Sequence, residues 1–433
     1  MSDNITKKAS DAKIASLRIA TLTDDIRKNA LIAIAEELQS RKHAVFEANH
    51  KDLHKATEDS LEKPLLKRLA FDETKLNETV SGLYSLADMP DPLGKVLLSR
   101  ELDEGLNLYR VSVPIGVMAI IFESRPDALV QISALCLKSA NAVLLKGGSE
   151  ARHTNRILFE IIRNASAECG MPTEWIALME TRDDVANILS LDKYVDLIIP
   201  RGSNSFVKHI MDNSNIPVLG HADGICHVFV DESADIEKSI PVCVDAKTQY
   251  VAVCNAMETL LVHQNIADEF LPKLKESMDK KNVRLLGCSQ TKKYISIDEA
   301  TDADWDTEYL DYVLSIKTVN NISEAINHIN THGSGHTDVI LTNDMKNADL
   351  FISSVDSAGV YVNASSRFAD GYVYGFGAEV GISTSKIHAR GPVGIEGLMT
   401  YKYVLKGNYH YIEPYKSGDK EFTHKDLNKK TIK

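Results

Sequence analysis

Gly116–Gly148 reads GVMAIIFESRPDALVQISALCLKSANAVLLKGG, and this stretch decides the fold. Val117–Phe122 is a short apolar run between Gly116 and the polar Glu123-Ser124-Arg125, which predicts a strand. Pro126 suits a first helical turn and opens a predicted helix through Leu137. Ala142–Leu145 is the next strand, closed by Lys146-Gly147-Gly148. Outward from there the alternation continues. Glu150–Glu168 reads as a helix, Trp175–Met179 as a strand and Asp184–Leu191 as a helix. Val195–Ile199 follows as a strand and Ser203–Asp212 as a helix. Strand-helix alternation at this spacing predicts an α/β fold with a doubly wound parallel sheet. Ligands in such sheets bind outside the carboxyl ends of the strands. Those ends are Phe122-Glu123-Ser124-Arg125, Lys146-Gly147-Gly148-Ser149 and Pro200-Arg201-Gly202-Ser203.

Upstream, Glu104-Gly105 reads as a turn before the alternating Leu106–Val113, which suggests an antiparallel ribbon apart from the main sheet. Met89-Pro90-Asp91-Pro92-Leu93-Gly94 breaks any helix. Residues 1–95 read as helical: Thr23 can cap a helix whose Ile26, Ala30, Ile34 and Leu38 make an apolar stripe. Downstream of Asp231 a mixed region to about Thr400 is expected to form a second domain. The tail from Lys416 is polar and is expected to be mobile.

A chain of 433 residues is too long for one compact core. A formal net charge of −12 argues against non-specific binding to nucleic acid or anionic membrane. No apolar run reaches the ~18–20 residues of a membrane span, and the polar N-terminus lacks a secretion signal. The six cysteines are scattered without a CxxC pair, which fits free thiols in a reducing, cytoplasmic compartment.

The chemistry-bearing stretch is Asp245–His263, DAKTQYVAVCNAMETLLVH. Cys254 is flanked by two apolar runs and followed by Asn255. That suits a positioned nucleophile and equally a buried structural thiol. No P-loop occurs, and no GxGxxG opens a helix; Gly375-Phe376-Gly377 with Gly381 only imitates one. Gly202-Ser203, between strand and helix, can take a phosphate on helix N–H groups or be a plain turn. Lys146 can bond a ribose or phosphate, or be a solvated cap. Ser149 puts no acid where a 2′-phosphate would lie, which leaves room for NADP. His328, His332 and His336 recur every four residues, but Gly333 and Gly335 break the helix before the third, so no metal is expected. Arg367 and Arg390 lie in polar loops and can clamp a carboxylate or phosphate, or form ordinary salt bridges.

Five segments together resemble the gamma-glutamyl phosphate reductase (glutamate-5-semialdehyde dehydrogenase) family of the aldehyde dehydrogenase superfamily. They are FESRPDALVQISALCLKSANAVLLKGGSEA, DLIIPRGSNSFV, the Cys254 stretch, EAINHINTHGSGHTDVILT and VYVNASSRFADGYVYGFGAEVGISTSKIHARGPVG. The likeness runs from about Ala15 to Gly407, with no kinase half ahead of it. It implies an aldehyde-dehydrogenase-like fold: a Rossmann-like NADP-binding domain over 1–99 and 114–227, and a catalytic domain over 228–400. A β-ribbon for oligomerisation would take 100–113 and 401–415, leaving 416–433 as a polar tail. By resemblance the nucleophile is Cys254, the adenosine-ribose lysine Lys146, the pyrophosphate turn Gly202-Ser203 and the nicotinamide-ribose glutamate Glu308. The superfamily's oxyanion Asn would fall near Ser124, where this chain has none. Hydrolytic members carry a Glu base before Gly-Gly; the matching Gly220-His221-Ala222-Asp223-Gly224 lacks it, which suits acyl exchange with phosphate.

The reaction so implied is NADPH-dependent reduction of L-glutamyl 5-phosphate through a thioacyl Cys254, within proline biosynthesis. The partners it implies are the small-molecule substrate, copies of the same chain, and functional coupling to glutamate 5-kinase. A coenzyme A-dependent acylating relative and a catalytically silent relative are the alternatives; assay with coenzyme A separates the first, absence of turnover the second.

Overall fold

The computed structural model describes residues 2–61, 63–180, 183–221, 223–377 and 379–427. Two parallel sheets carry the α/β architecture. The first orders its strands Ile176–Met179, Ala142–Lys146, Val117–Phe122 and Leu197–Arg201, all parallel. Its central strands are buried along their whole length, because continuous apolar runs can be covered by helices on both faces. Helices Asp24–Ser40, Glu73–Asp88, Pro126–Lys138 and Arg152–Glu168 supply their buried faces to this core.

The second sheet has seven parallel strands, in the order Asp298–Glu299, Arg284–Gly287, Val313–Val319, Met257–His263, Cys226–Val230, Thr337–Leu341 and Gly359–Val362. Helices Ile236–Thr248 and Ala267–Asp279 cover one part of its core, and Ile322–His332 and Met345–Ser354 another.

The ribbon is a separate antiparallel sheet of Val96–Asp103, Leu106–Pro114 and Met399–Lys406. It begins four residues before the expected Arg100. The expectation of a mobile tail is corrected as far as Leu427: Lys425–Asp426 pairs with Arg100 and Glu101. The N–H groups of Thr423 and Leu427 donate to the carbonyls of Leu102 and Ser99 at 2.9 and 3.0 Å. The edge of strand Val96–Asp103 is thus partly paired. Residues 428–433 lie outside the described residues. Thr23 occupies the N-cap position of its helix, but its hydroxyl makes no capping bond.

Candidate active site

The first sheet changes winding direction between Val117–Phe122 and Leu197–Arg201, where open α/β sheets bind ligands. The Glu123 N–H donates to the Arg201 carbonyl at 3.0 Å and ties the two strand ends together. Beyond Arg201 come Gly202, Ser203 and the helix Asn204–Asn213. A Cβ on Gly202 would fall 2.5 Å from Glu123 Oε2 and 2.8 Å from the Phe206 ring, so those two side chains would have to shift to admit one. The Ser203 N–H donates to Glu123 Oε2 at 3.1 Å. An anion therefore already sits on this helix N-terminus, as the orphan N–H groups and the dipole favour. Lys146 ends its strand, buried, with Nζ donating to the Gly147 carbonyl at 2.5 Å. Ser149 is exposed at the start of the next helical turn.

The facing wall is built from the amino ends of three neighbouring strands of the second sheet. Cys226 is the first residue of its strand, Cys254 sits in the turn before Met257–His263, and His336 immediately precedes Thr337–Leu341. Because these strands are adjacent, the three side chains converge. His336 Nε2 lies 3.2 Å from Cys254 Sγ, and its Nδ1 lies 2.9 Å from Thr337 Oγ1 and 3.7 Å from Cys226 Sγ. The Cys226 thiol donates to the Cys254 carbonyl at 3.2 Å. The His221 ring meets the His336 ring edge-on, with centroids 5.2 Å apart. Asn255 anchors the Cys254 turn: its Nδ2 donates to the Ala369 carbonyl at 3.0 Å, and its carbonyl accepts from Ser366 Oγ at 2.6 Å.

Glu308 joins the two walls. Its carboxylate accepts from Asn204 Nδ2, on the helix after Ser203, and from the Gly224 N–H. Asn204 Nδ2 also donates to Asp223 at 3.0 Å. Behind Glu308, the Leu310 N–H donates to Glu258 at 3.3 Å, and Glu258 is paired with Lys247; both side chains of that pair are fully buried.

Burial pushes the Cys254 thiol up to about 12, and the Glu308 carboxylate pushes further. The Arg201 guanidinium draws the value back, and Glu379 raises it again. Burial drives His336 down to about 3, with His221 adding to the effect, so the imidazole is neutral at neutral pH. The resting pair is a protonated thiol beside an imidazole that carries a lone pair, in a pocket where the Arg201 guanidinium is close at hand.

The sequence-predicted residues divide accordingly. Cys254 and Glu308 share the crevice, and Gly202-Ser203 reaches it through Asn204. Arg367 lies on the turn anchored to Asn255, with Nε donating to Gln249 at 2.9 Å. Ser124 stands in the left-handed region, φ 44°, and gives both its N–H and its hydroxyl to Glu150 Oε1 at 2.6 and 2.7 Å. It could serve an oxyanion only by leaving that carboxylate. Arg390 is paired with the Asp356 carboxylate and carbonyl at 3.0 Å, beside Lys386, and not with the Cys254 cluster.

Sequence reasoning missed His336, His221 and Arg201 as site residues. The helix Ile322–His332 does end before His336, as Gly333 and Gly335 suggest. His328 is instead flanked by Trp305, His227 and His332, and His332 pairs with Asp306 at 2.8 Å. The available signal for His336 was its place directly ahead of the apolar strand Thr337–Leu341, the same position Cys226 holds in its own strand.

The aldehyde dehydrogenase family model matches residues 2–286 and 301–404. The chain is 60% identical to the gamma-glutamyl phosphate reductase of Acetivibrio thermocellus, over 98% of this chain and 99% of that protein. It is 49% identical to the gamma-glutamyl phosphate reductase of Natronomonas pharaonis, over 99% of each. Among solved structures, the gamma-glutamyl phosphate reductase of Thermotoga maritima superposes with a TM-score of 0.93 at 42% identity, over 94% of this chain and 99% of that one. An acetylating aldehyde dehydrogenase from Geobacillus thermoglucosidasius, 16% identical with a TM-score of 0.63 over 95% of this chain and 98% of that one, shares the fold.

Proposed function

The chain belongs to the gamma-glutamyl phosphate reductases of the aldehyde dehydrogenase family, and from that premise we propose that it reduces L-glutamyl 5-phosphate to L-glutamate 5-semialdehyde and phosphate, as a step in proline formation. The observation that carries the reading is the 3.2 Å contact between Cys254 Sγ and His336 Nε2, in a crevice that also holds Glu308. His336 accepts the thiol proton as the sulfur closes on the acyl carbonyl, so free thiolate never accumulates against the burial penalty. The C–S bond forms, the bond to phosphate breaks, and a thioacyl Cys254 remains. The Cys254 N–H and the Arg201 guanidinium are the donors available to the oxyanion. NADPH, when bound, supplies the hydride that reduces the thioester carbonyl. His336 then returns its proton to sulfur as the thiohemiacetal collapses to the aldehyde. No Glu stands among residues 220–224 to activate water, which favours exchange with phosphate over hydrolysis; Ala222 lies outside the described residues.

The residues fit a nicotinamide dinucleotide. The Gly202 turn carries no Cβ to obstruct an approaching phosphate, and the Ser203 N–H already holds an anion. Lys146 closes the neighbouring strand and Glu308 reaches the helix after Ser203. Exposed Ser149 keeps its position free of charge, which supports NADP over NAD. We assign Arg367 to a substrate anion, since its turn is bonded to Asn255. We assign the ribbon to self-association. Tyr401, Tyr403 and Leu405 alternate along Met399–Lys406 and expose one apolar face.

The test is reductive chemistry run backwards. Purified protein with glutamate semialdehyde, phosphate and NADP should form NADPH. Coenzyme A in place of phosphate should not support it. Cys254→Ala should lose turnover while still binding NADPH, and retained turnover in that variant would remove Cys254 from its role.

A further inference from the structure

We infer that His221, Cys254 and His336 form a binding site for a soft divalent transition-metal ion, Zn2+ in the first instance, which holds the nucleophilic sulfur as a metal thiolate. Among the described residues these three are the grouping whose ligand atoms converge, all within 4.8 Å of one another. A tetrahedral ion with bonds of about 2.0–2.3 Å to nitrogen and sulfur needs ligand atoms roughly 3.3–3.8 Å apart. The Sγ–Nε2 separation of 3.2 Å falls about 0.1 Å short of that range. The remaining separations lie within 4.8 Å, at most about 1 Å beyond that geometry, so binding requires the His221 ring to draw in.

An independent observation points the same way. His221 Nδ1 is buried without a hydrogen-bond partner. A buried polar atom left unsatisfied is costly, and an ion is one group that satisfies it. His336 has the outer-shell partner that metal-bound histidines use: with Nδ1–H given to Thr337 Oγ1 at 2.9 Å, Nε2 keeps its lone pair toward the sulfur. The ligand set of two imidazoles and a thiolate is borderline-soft, which selects Zn2+ or Co2+ over Mg2+ or Ca2+. Glu308 and Glu379 act on Cys254 as nearby negative charges and offset the Arg201 guanidinium. Three protein ligands leave a fourth position, as in open zinc sites.

Binding breaks the S–H bond, releases one proton to solvent and forms a sulfur–metal bond, with no change in oxidation state. Occupancy blocks acyl transfer. That consequence rests on Cys254 being the nucleophile; the binding itself does not.

The experiment titrates full-length protein with Co2+ and follows the sulfur-to-cobalt charge-transfer band, then competes with Zn2+. Wild type should take up one equivalent and release one proton per ion. Cys254→Ser should lose the charge-transfer band, and His221→Asn should bind at least about 10-fold more weakly. An unchanged thermal unfolding midpoint of metal-free His221→Asn reports that the variant is folded. Zn2+ should protect Cys254 from alkylation by iodoacetamide, and EDTA should reverse the protection. An undiminished band in Cys254→Ser would assign the metal to another free cysteine and overturn the inference. So would equal affinity in His221→Asn, or absence of binding by wild type. A failed turnover assay with an intact cobalt spectrum would instead sink the acyl-transfer reading alone.

Discussion

Gly224 is packed directly against the backbone of Cys254. A Cβ built on it would lie closer than 3.0 Å to the carbonyl oxygen, Cα and Cβ of Cys254. The Gly224 N–H also holds the Glu308 carboxylate. One residue without a side chain thus spaces Cys254 from the crevice-bridging Glu308. Gly224→Ala must move the Cys254 turn, since the obstructing atoms are mostly backbone. We expect a stability loss of about 1–3 kcal/mol from overpacking. Turnover should fall by about 10²-fold or more, because a displacement near 1 Å costs that much in orientation. Thermal unfolding and kcat measured together check this; full turnover in Gly224→Ala would show that the turn yields without cost.

Glu123 holds the Ser203 N–H, where a dinucleotide pyrophosphate would bind. The carboxylate must leave before phosphate can take its place, and if it stays near it repels phosphate. Glu123→Gln should therefore tighten NADPH binding. Charge interactions at a helix N-terminus of about 0.3–1 kcal/mol correspond to roughly a two- to five-fold lower Kd. The change should shrink as salt rises, through screening. Fluorescence titration of NADPH reads it, and weaker binding by the variant would mean that Glu123 supports the ligand.

Asp231 gives the chain a pH-dependent tie within the second sheet. It follows strand Cys226–Val230 and accepts from Ser233 Oγ at 2.7 Å, Thr342 Oγ1 at 2.8 Å and Asn347 Nδ2 at 3.1 Å. Burial pushes its pKa up, but these donors outweigh burial and hold it below the ordinary carboxylate value. A depressed folded-state pKa means stability that is present above the unfolded value near ~3.9 and lost as pH falls through the folded one. Asp231→Asn should be less stable at pH 7 by about 1.5–3 kcal/mol, the worth of hydrogen bonds to a charged group. The gap to wild type should narrow as the pH falls below about 4. Denaturant midpoints across that range test it, and a gap independent of pH would refute the assignment.

The fold was legible where burial is complete. Val117–Phe122 and Ala142–Lys146 are continuous apolar runs covered on both faces, and their boundaries come directly from composition. The expected strand at Val195 starts instead at Leu197, because the N–H groups of Tyr194 and Val195 close a turn on the Leu191 carbonyl. The ordered tail was hidden for a different reason. Its pairing with Ser99–Leu102 is made mainly by backbone groups, which leave no mark on side-chain pattern. At the site, Cys254 stood out locally between two apolar runs, as a nucleophile or a buried thiol, and the resemblance pointed to the nucleophile; Glu308 came from the resemblance alone. His336 was obscured because its spacing from His328 and His332 invites a helical reading, whereas its partner is 82 residues away in sequence and meets it only through the strand order.

On the proposed mechanism, thiol activation turns on His336. With Cys254 pushed up to about 12 by burial and by Glu308, an unaided sulfur is almost wholly protonated at pH 7. Arg201 alone does not restore it. The neutral Nε2 at 3.2 Å supplies the missing proton acceptor, and Thr337 Oγ1 on Nδ1 fixes the ring. His336→Asn removes the acceptor while keeping a polar side chain in the buried space. Turnover should drop by about 10²–10⁴-fold, the range for a positioned general base. The rate of iodoacetamide inactivation near neutral pH should fall as well and recover only at strongly alkaline pH. Binding of NADPH should be unaffected, since the loss lies in proton transfer and not in the cofactor wall. Unchanged alkylation kinetics in His336→Asn would show that another group activates the sulfur, with Arg201 and His221 the next residues to test.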